Sequence, residues 1–357
     1  MSSLAVAFDM TFANRDQGGS GVYARSLLAS VAARNQIVSW VIAGPRKSSP
    51  AGTLDWLLRK ARREIAARPP DVLHCPSFVA PWGIRVPTVV TVHDAAVNRF
   101  PTDHPLEWRF YVRSLMPGRL RAAARVITGS EFSRNEVIAA NRLDPGRVTV
   151  VPYGLDSSFL NHRPNATQPD GTGTLLFPGA PIGRKNLDAV LRCLAEAQPG
   201  SALARISLDI SGAREDRFPT YSVLVRELGL QARVRWLGRV PSEELPSLFA
   251  RAAAVVYPSL YEGFGFPPLE AMAVGTPVVA SDRGSLPEVL GDGALLVDPT
   301  DRRALGEALE AVLSRPQVRD RLRTAGTKRA RLYTWDKCAD RTIDVYRDVR
   351  AAAPVAS

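Results

Sequence analysis

The chain has 357 residues, of which 45% are hydrophobic and 23% are charged. At ~150 residues per domain this length predicts two domains, and the ordinary globular composition excludes disordered, collagen-like and disulfide-scaffold proteins. The formal net charge is +11, but only five of the 46 basic residues are lysine. Such an arginine-rich skew follows genome composition as readily as function. We therefore expect no nucleic-acid partner, while anionic membranes and phosphorylated ligands remain open.

The cysteines and the N-terminus indicate a cytoplasmic protein. Cys75, Cys193 and Cys338 are odd in number and far apart, so neither a disulfide framework nor a zinc site is expected. The first basic residue, Arg15, follows the apolar run 4–8, so the charged start of a signal peptide is missing. No uncharged apolar run reaches the ~18 residues that span a membrane.

Short apolar runs alternate with amphipathic segments in the first part of the chain. Buried parallel strands are predicted at 4–10, 37–43, 72–74, 88–93, 125–128 and 148–151. Helices are predicted between them at 22–33, 54–67 and 132–140. This alternation predicts a doubly wound α/β domain over 1–160. The following segment, 161–173, is rich in Pro, Asn and Gly without periodicity, which predicts a linker.

The alternation begins again after the linker and predicts a second domain over 174–334. Its strands are predicted at 174–179, 205–211, 233–237, 253–258, 277–281 and 294–298. Its helices are predicted at 186–197, 219–229, 242–251, 267–273, 301–313 and about 316–331, and a last helix, at 335–350, follows this domain. Open α/β sheets bind ligands at the carboxyl ends of their strands. Two such domains predict a site in the cleft between them.

Segment 257–282 (YPSLYEGFGFPPLEAMAVGTPVVASD) holds two carboxylates, Glu262 and Glu270, on either side of a run of glycines and prolines. Since Gly weakens and Pro breaks a helix, we expect Glu262 on a loop after strand 253–258. Glu270 is expected near the first turn of the helix opened by the prolines. A glycine-rich turn before a helix is an anion site, which suits a sugar nucleotide. The alternative is a surface loop whose Glu270 favours the helix dipole.

Three further constellations follow predicted strands. Arg184 and Lys185 come after strand 174–179 and could clamp a diphosphate, or form a solvated turn. The spacing is not that of a P-loop. The glycine run 18–21 precedes helix 22–33 and is either a ligand loop or a turn that caps the helix. His93 is the last residue of strand 88–93. It is either an active-site residue or a core histidine whose hydrogen bonds are satisfied within the protein.

These motifs resemble retaining glycosyltransferases of family 4, which have the GT-B fold. The likeness comprises the Glu-x7-Glu spacing of segment 257–282, its continuation GSLPEVLGDGALLVDP, and the first-half motifs GSGVYARSLL, TVHDAAVNRFP, VITGSEFSRNEV and VTVVPYGLD. It covers most of the chain in order and is greatest to the mannosyltransferase-B-like branch. The resemblance implies two Rossmann-like domains facing across a cleft, with a C-terminal helix (335–357) that returns to the first domain.

The resemblance also implies residue roles. Glu262 would hold hydroxyls of the donor sugar, Glu270 would hold the ribose, and Arg184 and Lys185 would contact the pyrophosphate. His93 would touch the donor sugar or the transferring proton. The remaining residues expected to bind the donor are glycines and one aromatic in two loops: Gly19, Gly21, Gly263, Phe264 and Gly265. This chain departs from many relatives at Ala180, where they carry an Arg, so one phosphate contact could be lost or supplied by Arg184.

The implied activity is retaining transfer of a hexose, with mannose favoured, from a nucleotide-diphosphate sugar to a glycan, lipid-linked or small-molecule acceptor. GDP-mannose is the favoured co-substrate, and no other cofactor is expected. The sequence has no D-x-D and no His/Cys cluster with ligand spacing, so a metal-independent enzyme is predicted. Two alternatives stay open: a sugar-nucleotide epimerase on the same fold and a non-catalytic GT-B binding subunit.

Two stretches combine aromatic residues with arginine, at 54–63 and 108–125. They could rest on an anionic membrane leaflet beside a lipid-linked acceptor, which would place the protein peripherally on the inner face of the membrane. Alternatively, the helices bury their apolar side in the core and hold Arg in water.

Overall fold

The computed structural model describes residues 3–14, 18–44, 50–162 and 173–353. The chain divides into two compact units. The first unit comprises Met1–Gly154 together with Tyr333–Ser357, and the second comprises Leu155–Leu332.

The first unit is built on a six-stranded parallel sheet with the order β2-β1-β3-β4-β5-β6. Its strands are β1 (Leu4–Asp9), β2 (Ile37–Ile42), β3 (Val72–Cys75), β4 (Thr88–Thr91), β5 (Arg125–Thr128) and β6 (Val148–Val150). All six predicted strands are confirmed, because a parallel strand buried on both faces reads as an apolar run in the sequence.

The helices of the first unit lie between these strands. They are α1 (Gly19–Ala32), α2 (Pro50–Asp55), α3 (Ala61–Ala67), α4 (Ala96–Arg99), α5 (Leu106–Phe110), α6 (Met116–Ala122) and α7 (Glu131–Asn141). Short 3-10 turns occur at Pro101–Asp103 and Pro145–Arg147. The helix predicted over 54–67 contains a π-helical segment, Trp56–Lys60, and a second π segment, Tyr111–Leu115, joins α5 to α6.

The second unit contains another six-stranded parallel sheet, with the order β12-β11-β10-β7-β8-β9. Its strands are β7 (Thr174–Pro178), β8 (Ser207–Ser211), β9 (Val234–Gly238), β10 (Ala254–Tyr257), β11 (Val278–Ser281) and β12 (Leu295–Val297). The predicted strand 205–211 begins two residues late, because Ser201 accepts a 3.1 Å hydrogen bond from the Ala204 amide and caps a short helix that ends at Arg205.

Nine helices lie in the described residues of the second unit. They are α8 (Ser157–Leu160), α9 (Leu187–Ala195), α10 (Ala202–Arg205), α11 (Pro219–Glu227), α12 (Leu245–Ala250), α13 (Phe266–Ala273), α14 (Leu286–Leu290), α15 (Arg302–Ser314) and α16 (Pro316–Ala330). Short 3-10 turns occur at Gly183–Lys185, Glu215–Arg217 and Gly291–Gly293.

The last helix, α17 (Trp335–Ala352), belongs to the first unit, as predicted. It packs along α1, and Arg34 forms 2.9 Å ion pairs with both Asp336 and Asp340. A Cβ on Gly154 would lie 2.2 Å from the backbone nitrogen of Trp335. Glycine at 154 therefore permits the close approach that seats the start of α17.

The boundaries of the units differ from the predicted ones. The first unit ends at Gly154 rather than at 160, and it resumes at Tyr333. The physical reason is that α8 already packs in the second unit, where the Phe159 and Phe249 rings meet edge to face at 5.8 Å. The predicted linker 161–173 lies largely outside the described residues, at 163–172.

Candidate functional site

The strand order of the second sheet places two of the predicted residues side by side. The order reverses between β7 and β10, which are hydrogen-bonded neighbours although β8 and β9 lie between them in the sequence. A doubly wound sheet binds its ligand where the order reverses, outside the carboxyl ends of the strands. Lys185 follows β7 and Glu262 follows β10, so both side chains lie at this position.

Glu262 is the centre of a buried ionic cluster. Its Oε1 atom lies 2.9 Å from an Arg184 guanidinium nitrogen and 2.6 Å from the Lys185 ammonium. Burial opposes ionisation of Glu262, but the charges of Lys185 and Arg184 outweigh it and lower the pKa of the carboxyl below its usual value. Glu262 is therefore ionised at neutral pH, and the cluster carries a net positive charge.

Tyr257, the last residue of β10, contacts the Lys185 ammonium through both its hydroxyl and its ring. The Lys185 ammonium donates a hydrogen bond to the Tyr257 hydroxyl and lies 4.4 Å from the centre of its ring. Burial, together with the nearby Glu262 charge, raises the pKa of Tyr257 well above its usual value. The hydroxyl therefore stays protonated and fixes the position of the ammonium.

The backbone of the Arg184–Lys185 turn is fixed by Asn186. This residue adopts the left-handed conformation with φ of 58°, although it is not a glycine. Its side-chain amide donates hydrogen bonds to the carbonyls of Pro258 at 3.3 Å and Pro299 at 2.8 Å. The Leu260 amide in turn donates to the Arg184 carbonyl at 2.8 Å. These bonds join the turn after β7 to the loops after β10 and β12.

The loop that carries Glu262 requires a glycine on the neighbouring segment. Both the amide and the hydroxyl of Ser285 donate 3.0 Å hydrogen bonds to the Glu262 carbonyl. Gly284 has φ of +66°, and a Cβ there would lie 2.6 Å from the same carbonyl oxygen. Any side chain at 284 would therefore displace the backbone of Glu262.

The segment 263–265 leads from Glu262 into α13. Gly263 and Phe264 are buried, and the Phe264 ring meets Phe266 edge to face at 5.1 Å. Gly265 has φ of +93° and precedes the first helical residue. Prolines 267 and 268 have no N–H group, so among the first four residues of α13 only Phe266 and Leu269 carry a backbone N–H.

Glu270 is the fifth residue of α13, because the helix begins at Phe266, one residue before the predicted start. Burial, with a smaller effect from the charge of Asp156, raises the pKa of Glu270 to about 7. The two carboxylates of the segment therefore have different electrostatic environments: Glu262 is held ionised by cations, whereas Glu270 lies near the midpoint of its titration at neutral pH.

His93 lies in an aromatic cluster of the first unit, two residues beyond β4. Its Nδ1 atom is 2.9 Å from the Tyr153 hydroxyl, and the Tyr23 ring meets the imidazole edge to face at 5.1 Å. The Tyr153 ring occupies the space beside Gly129, where a Cβ would lie 2.6 Å from it. His93 is therefore oriented by packed neighbours at the carboxyl end of its strand.

His74, the other histidine at this edge, is a structural residue. It is fully buried, and its two ring nitrogens contact the Tyr346 hydroxyl of α17 and the Thr91 hydroxyl of β4, the latter at 2.9 Å. Burial lowers the pKa of His74 to about 3. It therefore stays neutral and links α17 to the sheet.

Gly19 and Gly21 lie in the first turn of α1, not in a loop before it. The prediction that the helix begins at 22 is wrong, because a glycine is tolerated in a first turn, where the amides have no helical partners. Gly18 precedes the helix without a side-chain cap, and Gly21 is buried. Residues 15–17 fall outside the described part of the chain.

Within the described ranges, no group of three or more His, Cys, Asp or Glu side chains could hold a metal ion. In the same ranges, no helix has the length and apolar character needed to cross a bilayer. Sequence reasoning missed Tyr257, Asn186, Asp156 and Tyr153 as partners of the predicted residues. The sequence carries no signal for them, since each acts through a contact between distant segments.

Comparison with known proteins identifies two families of sequence in the chain. Residues 159–329 match the family described as "Glycosyl transferases group 1", and residues 17–159 match "Glycosyltransferase Family 4". The O-antigen chain mannosyltransferase B of Escherichia coli is 32% identical over 283 residues, which cover 77% of this chain and 74% of that protein. An MMP alpha-(1->4)-mannosyltransferase of Mycolicibacterium hassiacum is 33% identical over 258 residues, covering 71% of this chain and 61% of the relative.

The fold is similarly shared with solved structures. Sucrose-phosphate synthase from Thermosynechococcus elongatus superposes with a TM-score of 0.80 at 21% identity, covering 98% of this chain and 99% of its own. Two parallel six-stranded sheets and this match across nearly the whole chain confirm the predicted GT-B fold class.

Proposed function

The chain belongs to glycosyltransferase family 4, and from this premise we propose that it transfers a hexose from a nucleotide-diphosphate sugar to an acceptor hydroxyl, with retention of configuration. The observation that carries the proposal is the Glu262–Lys185–Arg184 cluster at the β7/β10 position. It combines cations for a diphosphate with a carboxylate for sugar hydroxyls. We further propose a glycan, lipid-linked or small-molecule acceptor.

The charges of the cluster suit the departure of a diphosphate. As the bond between the anomeric carbon and the phosphate oxygen breaks, one more negative charge develops on the diphosphate. Lys185 and Arg184 interact more strongly with that charge than with the bound donor, so they lower the barrier instead of only tightening binding. The acceptor oxygen bonds to the anomeric carbon on the same face, and the departing phosphate takes its proton.

The ionised Glu262 has a second role in this proposal. It accepts hydrogen bonds from hydroxyls of the donor sugar, and its negative charge stabilises the positive charge that develops on the sugar ring. Glu270, with its pKa near 7, would accept hydrogen bonds from the ribose hydroxyls. His93, held by Tyr153, would contact the donor sugar.

We also propose that no metal ion takes part, since Lys185 and Arg184 supply the positive charge that the diphosphate needs. Turnover should persist in excess EDTA. Activity that is lost on chelation and restored by Mg²⁺ or Mn²⁺ would show that the two side chains do not suffice.

GDP-mannose is the proposed donor, because the two relatives named above are mannosyltransferases. The test is thermal unfolding with GDP-mannose, GDP-glucose, UDP-glucose and UDP-galactose in parallel. A donor at 100 times its Kd should stabilise the protein by about 2.7 kcal/mol, and Arg184→Ala/Lys185→Ala should abolish the shift. A shift that persists in this double variant would place the nucleotide away from the cluster.

Product analysis separates this proposal from its alternatives. A transferase incubated with donor and acceptor releases a nucleoside diphosphate and forms a new glycosidic bond. An epimerase would instead convert the donor into a second sugar nucleotide, and a binding subunit would leave it unchanged. NMR distinguishes these outcomes, and either a second sugar nucleotide or an unchanged donor would contradict transfer.

We propose that α5 touches an anionic membrane. Leu106 and Phe110 expose 73% and 64% of their surface. In α5 and the π-helical segment that follows it, the basic residues Arg109 and Arg113 outnumber the single carboxylate, Glu107. Such a surface has an apolar side for lipid and positive charge for its headgroups.

The other aromatic residues of the two predicted stretches have different positions. Trp108 packs against Phe12 at 5.7 Å, Trp56 is buried at 2% exposure, and Arg59 and Lys60 are paired with Asp55. The proposed contact is therefore limited to α5 and the π-helical segment that follows it.

Cosedimentation with phosphatidylglycerol vesicles tests the contact. Leu106→Ser/Phe110→Ser should reduce the bound fraction at least fivefold, whereas Val223→Ser, an exposed apolar residue of the second unit, should not. Equal sedimentation of all three proteins would exclude α5 as the contact.

A further inference from the structure

A pocket of about 500 Å³ opens in the first unit at the amino ends of β4 and β5. We call it the amino-edge pocket. Its lining includes the loop before β4 with Arg85, the end of α6 with Arg119, and Arg125 at the start of β5. His93 follows the opposite, carboxyl end of β4, so the pocket is remote from that residue.

The pocket is positively charged without a compensating acid. Its lining includes three arginines and contains no Asp or Glu. Among the described residues, none of Arg85, Arg119 and Arg125 takes part in an ion pair. Three cations that share one pocket repel one another, and a bound anion would relieve the repulsion.

Two of the guanidinium groups are held in place by backbone carbonyls. Arg119 donates to the Pro81 carbonyl and lies over the Trp82 ring at 5.3 Å. Arg125 donates to the Gly146 carbonyl. Such bonds fix a guanidinium without neutralising its charge, because a carbonyl is uncharged.

Arg119 has unused hydrogen-bonding capacity in the described structure. Its Nε atom is buried and has no hydrogen-bond partner there, and burial lowers the pKa of its guanidinium. A buried charged donor without an acceptor costs free energy. An anion bound in the pocket would reduce this electrostatic cost.

We propose that the amino-edge pocket binds a soluble phosphate-bearing ligand at a site separate from the Glu262 cluster. Guanidinium groups bind phosphate oxygens in pairs of parallel hydrogen bonds, and three arginines line this pocket. The volume lies within the ~300–1,000 Å³ range of small-molecule pockets. The lack of a carboxylate in the lining favours an anion over a neutral sugar.

The test uses tripolyphosphate as the probe, in a background that lacks the cations of the other site. Isothermal titration of Arg184→Ala/Lys185→Ala should still show one tripolyphosphate site. Adding Arg85→Gln/Arg125→Gln should raise its Kd at least tenfold. Adding Arg205→Gln/Arg217→Gln instead, which removes two exposed arginines of the second unit, should leave the Kd within twofold. Equal affinity in all three proteins would overturn the proposal.

A second measurement needs no substitution in the pocket and therefore holds if the quadruple variant fails to fold. Hydrogen–deuterium exchange of the wild-type protein with tripolyphosphate should show protection at 80–88 and 119–125. Protection confined to other segments would overturn the proposed site.

The source of the phosphate is distinguished with vesicles. Arg85→Gln/Arg125→Gln should cosediment with phosphatidylglycerol vesicles as the wild-type protein does, since a soluble ligand is proposed. A loss of cosedimentation that parallels the loss of tripolyphosphate binding would assign the pocket to a lipid headgroup and overturn the soluble-ligand assignment.

Discussion

Lys185 and Glu262 form a 2.6 Å ion pair across 77 residues of sequence. The pair exists because β7 and β10 are neighbours at the centre of the second sheet. Arg184 and Tyr257 complete its surroundings, so that the positions of both charges are set before any ligand arrives. A preorganised charge costs no reorganisation during the reaction, which makes each member of this cluster a direct test of the account.

Glu262→Gln should lower kcat/KM by on the order of 10²-fold, about the size of losing one electrostatic contact to the transition state. The amide keeps the shape of the carboxylate but loses the charge that opposes positive charge on the sugar. The Kd of the free nucleoside diphosphate should change less than threefold, since that ligand lacks the donor hexose whose hydroxyls Glu262 is proposed to bind. Glu243→Gln, at an exposed position, is the matched control. Equal losses in kcat/KM and in diphosphate affinity would place Glu262 on the nucleotide.

Tyr257→Phe should keep the ring beneath Lys185 and remove only the hydroxyl. We expect kcat to fall about tenfold, because one hydrogen bond to a charged group contributes roughly 1.5–3 kcal/mol and the ring continues to hold the ammonium. Steady-state kinetics with the accepted donor measure the effect, and thermal unfolding checks the fold. If KM rises while kcat stays constant, Tyr257 acts on ground-state binding and not on the position of Lys185.

Glu270→Gln should stabilise the protein at pH 8 and leave its stability unchanged at pH 4. The folded pKa of about 7 lies above the ~4.3 of an unperturbed Glu. Between these values the folded state binds more protons than the unfolded state, so the contribution of Glu270 to stability falls as pH rises through that window. The loss is on the order of 3 kcal/mol above pH 7. Urea unfolding of both proteins at the two pH values measures it, and an equal difference at pH 4 and pH 8 would contradict the raised pKa.

Removal of α17 by truncation after Thr334 should destabilise the first unit. Its buried residues are Cys338, Ala339, Thr342, Ile343, Val345, Tyr346 and Val349. Their burial removes apolar surface from water at roughly 25 cal/mol per Å², and His74 loses its Tyr346 partner. Calorimetry should show the first unit melting lower or not folding, while truncation after Ala353, which keeps α17, should melt as the full chain does. An unchanged first-unit transition after Thr334 would contradict the packing.

The strands could be predicted from the sequence because burial on both faces leaves an unmistakable apolar run. Segment 253–258, for instance, becomes β10 with all four of its residues buried. The Glu-x7-Glu segment and the Arg184–Lys185 turn could likewise be located, since glycines, prolines and charges mark them directly. Helix starts were harder: Gly19 and Phe266 begin helices earlier than the residue pattern indicates.

The electrostatics of the site could not be predicted, because they depend on pairs that are distant in sequence. In the sequence, Tyr257 is one more aromatic residue of a buried strand. Its role depends on the pairing of β7 with β10, which places the Lys185 ammonium over its ring. The left-handed Asn186 is explained only by two carbonyls from separate loops. The raised pKa of Glu270 follows from its burial and from Asp156, which precedes α8 at the start of the second unit.

The most direct test of the account is kcat of Lys185→Ala with the identified donor. We predict that this kcat falls on the order of 10²-fold or more, because the ammonium stabilises charge that develops only as the sugar leaves. Lys185→Arg should recover part of it, since a planar guanidinium cannot fill the place of a compact ammonium. Lys328→Ala, at an exposed position of α16, should keep the wild-type rate. A Lys185→Ala enzyme whose kcat stays within threefold of wild type would contradict the proposed role of the cluster.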